Sequence, residues 1–369
     1  MGDQVDQMDI QEPQKGVTPI LYELDPAGDV TFVVVNIPQD LPENLRDLKA
    51  DFLAGQSTPE ATPTGSDRDG QLPPETSTPA SSKKADKIRL RIRASSKHLV
   101  LASGYFARMF AGGFSEGLVL QSQGSVELQI LHVNGLAFLL LMLIIHGRPR
   151  LVPRKVSKET LTDVAILVDY YQCQDPVEVF SDMWIKDLED VEETTSLASL
   201  QWVMISWVFK YNPKFKKASK AVVSDSPDTI SSLGLPLPAN ILAKMNDQRI
   251  SFLQNFIDGL HRQLEVITKG CLKRGDRNTK NVELCLCAVL GAFTHDMFAL
   301  NVLSPKPESP FSNIQISKLV AAFKETPDSP RVEDEHSTTH NDCRLSARRK
   351  ALFQQHPLPE GLDLDDLNA

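Results

Sequence analysis

The chain has 369 residues, an apolar fraction of 41% and a formal net charge of −9, room for about two domains plus flexible segments. A balance this acidic excludes a chain built mainly to coat nucleic acid, because phosphate binding needs a basic surface. Five cysteines, an odd number at this length, are what a reducing compartment permits, and they imply an intracellular address in cytoplasm or nucleus.

Residues 1 to 17 are polar and acidic, lack an apolar stretch that would act as a secretory signal, and are expected to be disordered. The first ordered unit begins at ILYELDPAGDVTFVVV, where Asp25-Pro26-Ala27-Gly28 separates two short strands and predicts a hairpin-like start. Between residues 37 and 86 the chain turns to GQSTPEATPTGSDRDGQLPPETSTPASSKK. Such a stretch buries too little apolar surface to offset its ordering entropy, so a disordered insertion is expected. Its Thr-Pro steps at Thr58, Thr62 and Thr78 read either as phosphate acceptors or as plain linker chemistry.

Order returns at KIRLRIRAS, where Ile88, Leu90, Ile92 and Ala94 alternate with Lys87, Arg89, Arg91 and Arg93. One strand face is therefore apolar and the other positive. The positive face reads as a surface for nucleic acid or an acidic partner, or as a solvated face paired with acidic neighbours; the missing aromatic interleaving favours the second.

Next, KHLVLASGYFARMF sets Leu99, Ala102, Phe106, Met109 and Phe110 on one apolar helix face. The following GGFSEG spells G-x-S-x-G around Ser115, the pattern of a hydrolase nucleophile. That motif acts only where a strand runs through a tight turn into a helix. Here a helix precedes it, and SVELQI, alternating Val126, Leu128 and Ile130, predicts a strand after it. Gly112 and Gly113 read as helix C-caps, and Ser115 as part of a connecting loop rather than a catalyst.

The segment NGLAFLLLMLIIHG predicts a helix capped by Asn134 and apolar nearly all round, hence buried. Its run from Leu136 to Ile145 is about half of what crosses a bilayer. SKETLTDVAILVDYYQC places Leu161, Val164, Ala165, Val168 and Tyr171 on one face behind a Ser157 cap. DPVEVFSDMWIKDL offers Asp175, Pro176 and Glu178 as a capping box, with Val177, Phe180 and Trp184 inward. Residues 18 to 190 thus read as an α+β domain of short strands plus a cluster of helices.

The ordered series GDVTFVV, KHLVLASGYFARMF, GSVELQI, an apolar helix closed by HGRPR, and VDYYQCQDPVEVF resembles the BTB/POZ domain, in particular the variety common in filamentous fungi. The residues that carry the resemblance are Asp29 and the run His98, Leu99, Leu101, Ser103, Tyr105, Phe106, Met109 and Phe110. It implies a protein interaction module with neither catalysis nor cofactor. Such domains commonly form homodimers, and some serve as adaptors for cullin-type ubiquitin ligases or recruit transcriptional regulators. The insertion at 37 to 86 falls where the family joins two strands by a tight turn, and neither kelch-type repeats nor zinc-finger spacings follow.

An all-α region is expected from 195 to 325. TTSLASLQWVMISWVFK spaces Leu197, Leu200, Met204, Trp207 and Val208 as a helix that Asn212-Pro213 stops. A short helix with Lys214, Lys216, Lys217 and Lys220 follows, docked through Phe215, Ala218 and Val222. The longest helix, 239 to 269, carries Met245, Phe252, Phe256, Leu260, Leu264 and Ile267, closes at Gly270, and spans about 45 Å; it is a bundle arm or a coiled-coil seam. Residues 281 to 302 turn Val282, Leu286, Val289, Leu290 and Phe293 inward, and SNIQISKLVAAF forms a last short helix.

Three constellations read as structural or accidental. Cys285 and Cys287 lie on different helix faces. His336, His340 and Cys343 have metal-like spacing without a nearby fourth ligand. His295-Asp296 lacks a nucleophile to serve. Residues 326 to 369 are expected to be a disordered acidic tail, ending in LPEGLDLDDLNA, where leucines alternate with acids as in disordered partner-binding segments or solubilising tails. An interaction protein without catalytic activity is therefore the expectation, bound to protein partners and to neither membrane nor nucleic acid. The alternatives are a nucleic-acid-associated regulator using Arg89, Arg91, Arg93 and the Lys214 to Lys220 helix, and a hydrolase using Ser115.

Overall fold

Apolar residues alternate along two segments far apart in sequence, and their pairing builds the sheet of the first half. The structure, a computed structural model, describes residues 20–37, 88–188, 196–270, 279–326, 328 and 344–367. The insertion beyond residue 37, its Thr-Pro steps, residues 1 to 17 and the His336, His340, Cys343 triplet lie outside the described residues. The chain divides into two compact units, Met1–Glu189 and Asp190–Ala369.

The first unit holds four strands, β1 (Ile20–Glu23), β2 (Val30–Ile37), β3 (Ile88–Ala94) and β4 (Val126–Ile130), in the order β1-β3-β2-β4. β2 and β3 are antiparallel, with Phe32 opposite Ile92. β4 joins β2 in parallel, with Leu128 opposite Phe32. The expected hairpin-like start is corrected, because β1 pairs in parallel with β3 and never with β2. Its turn instead crosses the end of β3: Leu24 N donates to Arg93 O at 2.9 Å, and Ala27 N donates to Asp25 Oδ1 at 2.9 Å. Gly28 permits the crossing, since a Cβ there would stand 2.5 Å from Ala94 O.

The single helix expected across Leu99 to Phe110 is two. α1 (Ser96–Ala102) stops at Ser103, whose backbone is extended (φ −139°, ψ 120°), and α2 (Gly104–Arg108) starts anew before a wider turn, Met109–Gly113. The break is a capping event, in which Ser103 Oγ accepts from Phe106 N at 3.1 Å. The turn closes at Gly112, φ 96°, and α3 (Ser115–Gln123) follows where a loop was expected. Leu99, Phe106 and Phe110 remain buried while Ala102 and Met109 are half-buried.

α4 (Gly135–Ile145) is the buried helix expected: Asn134 Oδ1 accepts from Leu136 N and Ala137 N, and every residue from Ala137 to Ile145 is buried. α5 (Lys158–Tyr171) begins at the Ser157 cap and buries its expected face. α6 (Gln174–Leu188) starts ahead of Asp175, so the expected capping box does not form. Asp175 sits inside the first turn instead, where its charge favours the helix dipole. Val177 and Trp184 are buried, Phe180 half-buried.

In the second unit α7 (Ser196–Val208) is buried on nearly every side, at Leu200, Trp202, Val203, Met204, Ile205 and Val208, though Leu197 is exposed. Pro213 sits in the first turn of α8 (Asn212–Asp225), opening that helix as well as ending the previous one. α9 (Ala239–Thr268) packs against α8, α10 (Thr279–Ala299) and a C-terminal helix, α12 (Leu345–Gln355), which makes it a bundle arm. α11 (Ile316–Glu325) completes the set. Arg249 of α9 is fully buried and donates to the carbonyl oxygens of Ser226, Pro227, Pro310, Phe311 and Ile314 at 2.7 to 3.1 Å. It gathers two loop segments onto one helix.

α10 turns in Cys285, Val289, Phe293, Asp296 and Met297, leaving Val282, Leu286 and Leu290 half-buried. The face is rotated because Asp296 is buried to meet Arg349 of α12 at 2.8 Å. Its window Val282–Ala299 is long and apolar enough to cross a membrane, with mean hydropathy 1.5. The expected disordered tail is corrected for residues 344 to 367. Leu345, Leu352, Leu362 and Leu364 are buried, and lysines of the unit, Lys216 and Lys244, meet the acidic segment. Burial of the leucines outweighs the local preference for solvent.

Candidate interaction surface

The residues that carry the resemblance divide by role. Asp29 accepts from Ser96 N at 2.7 Å and from Ser96 Oγ at 2.6 Å, so it satisfies the first turn of α1 from outside the helix. Ser103 is buried, and its Oγ both caps α2 and donates to Tyr171 O. Phe106 is stacked on Phe110 and Tyr171, with ring centroids at 5.9 and 5.0 Å, and tilts against Phe32 at 5.8 Å. Leu99 is buried beside them in the core. His98 stacks on His146 at 5.2 Å. Leu101 is the exception, 88% exposed, so it contributes nothing to the fold that presents it.

Tyr105 and Met109 face a groove of about 620 Å³ bounded by α2, α3, β4 and α5. Its floor is the aromatic cluster, and its walls include Leu128, Leu131, Val133, Ile166 and Tyr170. Leu131 and Tyr170 are 54% and 57% exposed, an apolar rim left in water. The Tyr105 and Tyr170 rings lie 5.2 Å apart with their hydroxyls at 3.4 Å. Burial, then the Tyr170 hydroxyl, pushes the Tyr105 phenol up to about 12, so it is a neutral donor at physiological pH. Glu116 and Glu127 stand at the opening. β4 is an edge strand, its outer side unpaired among the described strands. The groove therefore offers apolar anchoring, two phenol hydroxyls, the Glu116 carboxylate and a strand edge. Sequence reading found Tyr105 and Met109 through the resemblance but missed Tyr170 and Leu131. Tyr170 gave a signal: on a helix that turns Tyr171 inward, its neighbour points about 100° away.

The remaining candidates lie elsewhere. Ser115 is the first residue of α3, exposed, and its Oγ donates to Glu116 Oε2 at 2.9 Å. A helical turn rather than a strand leads into it, so the elbow geometry is missing. Arg91 pairs with Glu127 at 2.5 Å and Arg93 with Glu23 at 3.2 Å, which neutralises these two outward arginines. Lys214 is buried and lies 4.0 Å over the Trp202 ring, so it is a packing residue rather than part of an open basic surface. Asp296 is engaged by Arg349 while His295 is 80% exposed at its side chain. Cys285 is buried and Cys287 exposed, on two faces as expected. Burial pushes the Cys173 thiol up to about 12, leaving it inert. Among the described residues no three His, Cys, Asp or Glu side chains are grouped to hold a metal. No protein-family model, curated protein or solved structure matches this chain.

Proposed function

We propose that the first unit is a BTB/POZ-like protein interaction module, non-catalytic, that self-associates through the Tyr105–Tyr170 groove and the β4 edge beside it. The observation that carries this reading is the exposed pair Leu131 and Tyr170 over a cleft of about 620 Å³ with an aromatic floor. Contiguous apolar surface of this kind costs free energy in water unless a partner covers it. Tyrosine rims suit interfaces because each ring is apolar on its faces and polar at its tip. The topology supports the resemblance too: β2 and β3 pair as neighbours across the insertion, and β4 lies parallel to β2 after the α1 to α3 helices. An adaptor role toward a cullin-type ubiquitin ligase or a transcriptional regulator would be a further use of the same module. Neutralisation of Arg91 and Arg93 weighs against the nucleic-acid alternative.

Hydrogen exchange of the full chain, dilute and concentrated, tests the assignment. We expect amides of residues 127 to 133 and 166 to 171 to gain protection with concentration. Protection that rises elsewhere in the first unit, with these segments unchanged, would place the interface on another face.

A further inference from the structure

The C-terminal segment of the second unit is held as a bound peptide is held. Leu362 and Leu364, two residues apart, are buried while the intervening Asp363 is half-exposed. The main chain is read by side chains of two helices. Ser219 Oγ of α8 accepts from Leu362 N at 2.8 Å, and Gln248 Nε2 of α9 donates to Gly361 O at 3.1 Å. Asn212 makes a two-ended contact, its Oδ1 accepting from Leu364 N at 3.0 Å and its Nδ2 donating to Asp363 Oδ1 at 2.9 Å. Beside this seam Lys216 lies 3.6 Å from the Glu360 carboxylate, and Lys244 Nζ donates to the main-chain oxygen of Asp366. Gly361, at φ 88°, lies so close to α8 that a Cβ would collide with Lys216 O. A cleft of about 750 Å³ remains between α9 and the stretch from Gln355 to Asp366, so the segment is open to solvent along one side.

We propose that the α8–α9 groove is a recognition site for an extended acidic peptide of the form Gly-Leu-Asp-Leu-Asp, and that residues 361 to 365 occupy it in cis as a stand-in for such a segment of a partner protein. The contacts fit that class specifically. Asn212, Ser219 and Gln248 read main-chain groups, which any extended peptide supplies. The two leucine sites select the side chains at alternate positions, Asn212 Nδ2 selects the Asp363 carboxylate, and Lys216 adds an ion pair to Glu360 just ahead of the motif. A partner must displace the chain's own segment, so its apparent affinity is reduced by the fraction of molecules in which the groove is free.

The test uses the full chain and a labelled peptide of residues 357 to 369, read by fluorescence anisotropy. In a released variant, Leu362→Asp with Leu364→Asp, the groove is vacated, and we expect the peptide to bind about tenfold or more tighter than to the wild-type chain. Adding Asn212→Ala to the released variant should abolish that gain, and raising salt should weaken binding. Equal binding to wild-type and released chains would overturn the proposal, as would no binding to a released chain that keeps its helical circular dichroism. Unfolding of the released variant would overturn it as well, by making the segment part of the core rather than the occupant of a groove. A wild-type dimer that the free peptide dissolves would assign the groove to the segment of a second copy and overturn the foreign partner.

Discussion

Phe106 shows how much of the first unit rests on single side chains. It is 1% exposed and touches Phe32, Phe110 and Tyr171 by ring contacts, so truncation removes both buried area and the stacking that supports the groove floor. Phe106→Ala is expected to cost about 3 to 5 kcal/mol, read from urea unfolding; a wild-type midpoint would contradict the core assignment. His146 gives the unit a pH response. Its Nε2 accepts from Ser95 N at 3.0 Å and its Nδ1 faces Met142 O at 2.9 Å, which fixes the neutral tautomer. Burial lowers its pKa, helped by His98 and Arg148 and opposed by the Met142 carbonyl and Asp25. A depressed histidine value means that the unfolded chain binds a proton first. Stability is therefore full above about pH 6.5 and is lost as the pH falls from there through the lower folded value. The urea midpoint of the wild-type chain should drop between pH 7.5 and 5.5 more than that of His146→Gln; parallel drops would remove His146 as the cause.

Elements were legible where the signal was local. Asn134 and Ser157 mark helix starts by their side-chain oxygens, and the all-apolar α4 is central. The partition of Cys285 and Cys287 followed from helix geometry alone. Elements were misread where a distant partner decides. Nothing in ILYE states that it pairs with β3 rather than β2, because both pairings satisfy the same alternation. Ser103 reads as an ordinary helix residue until Tyr171 O and Phe106 N claim its hydroxyl. The C-terminal leucines Leu362 and Leu364 looked solvated because the side chains that seat their main chain, Ser219 and Asn212, lie on α8, far away in sequence. For the groove, Tyr105, Phe106 and Met109 were legible through the resemblance, whereas Leu131 and Tyr170 were not, since exposure is a property of the packed unit. Arg349 belongs to this scale, because it ties α12 to α10 through Asp296 with both side chains 10% exposed or less. Arg349→Ala strands a buried carboxylate and is expected to cost about 3 to 5 kcal/mol. An unchanged melting temperature would mean that α12 is not held by this pair.

At the scale of the molecule, each of the two compact units offers one surface on which recognition is proposed. The first presents an aromatic groove beside an open strand edge; the second holds its own C-terminal segment against α8 and α9. Self-association through the first is the central claim, and the molecular mass of the full chain by light scattering after size exclusion, over a range of concentrations, tests it most directly. A concentration-dependent dimer that Leu131→Asp with Tyr170→Ala reduces to a monomer is the predicted result. A monomer at every concentration, or a dimer that this double variant leaves intact, would contradict it.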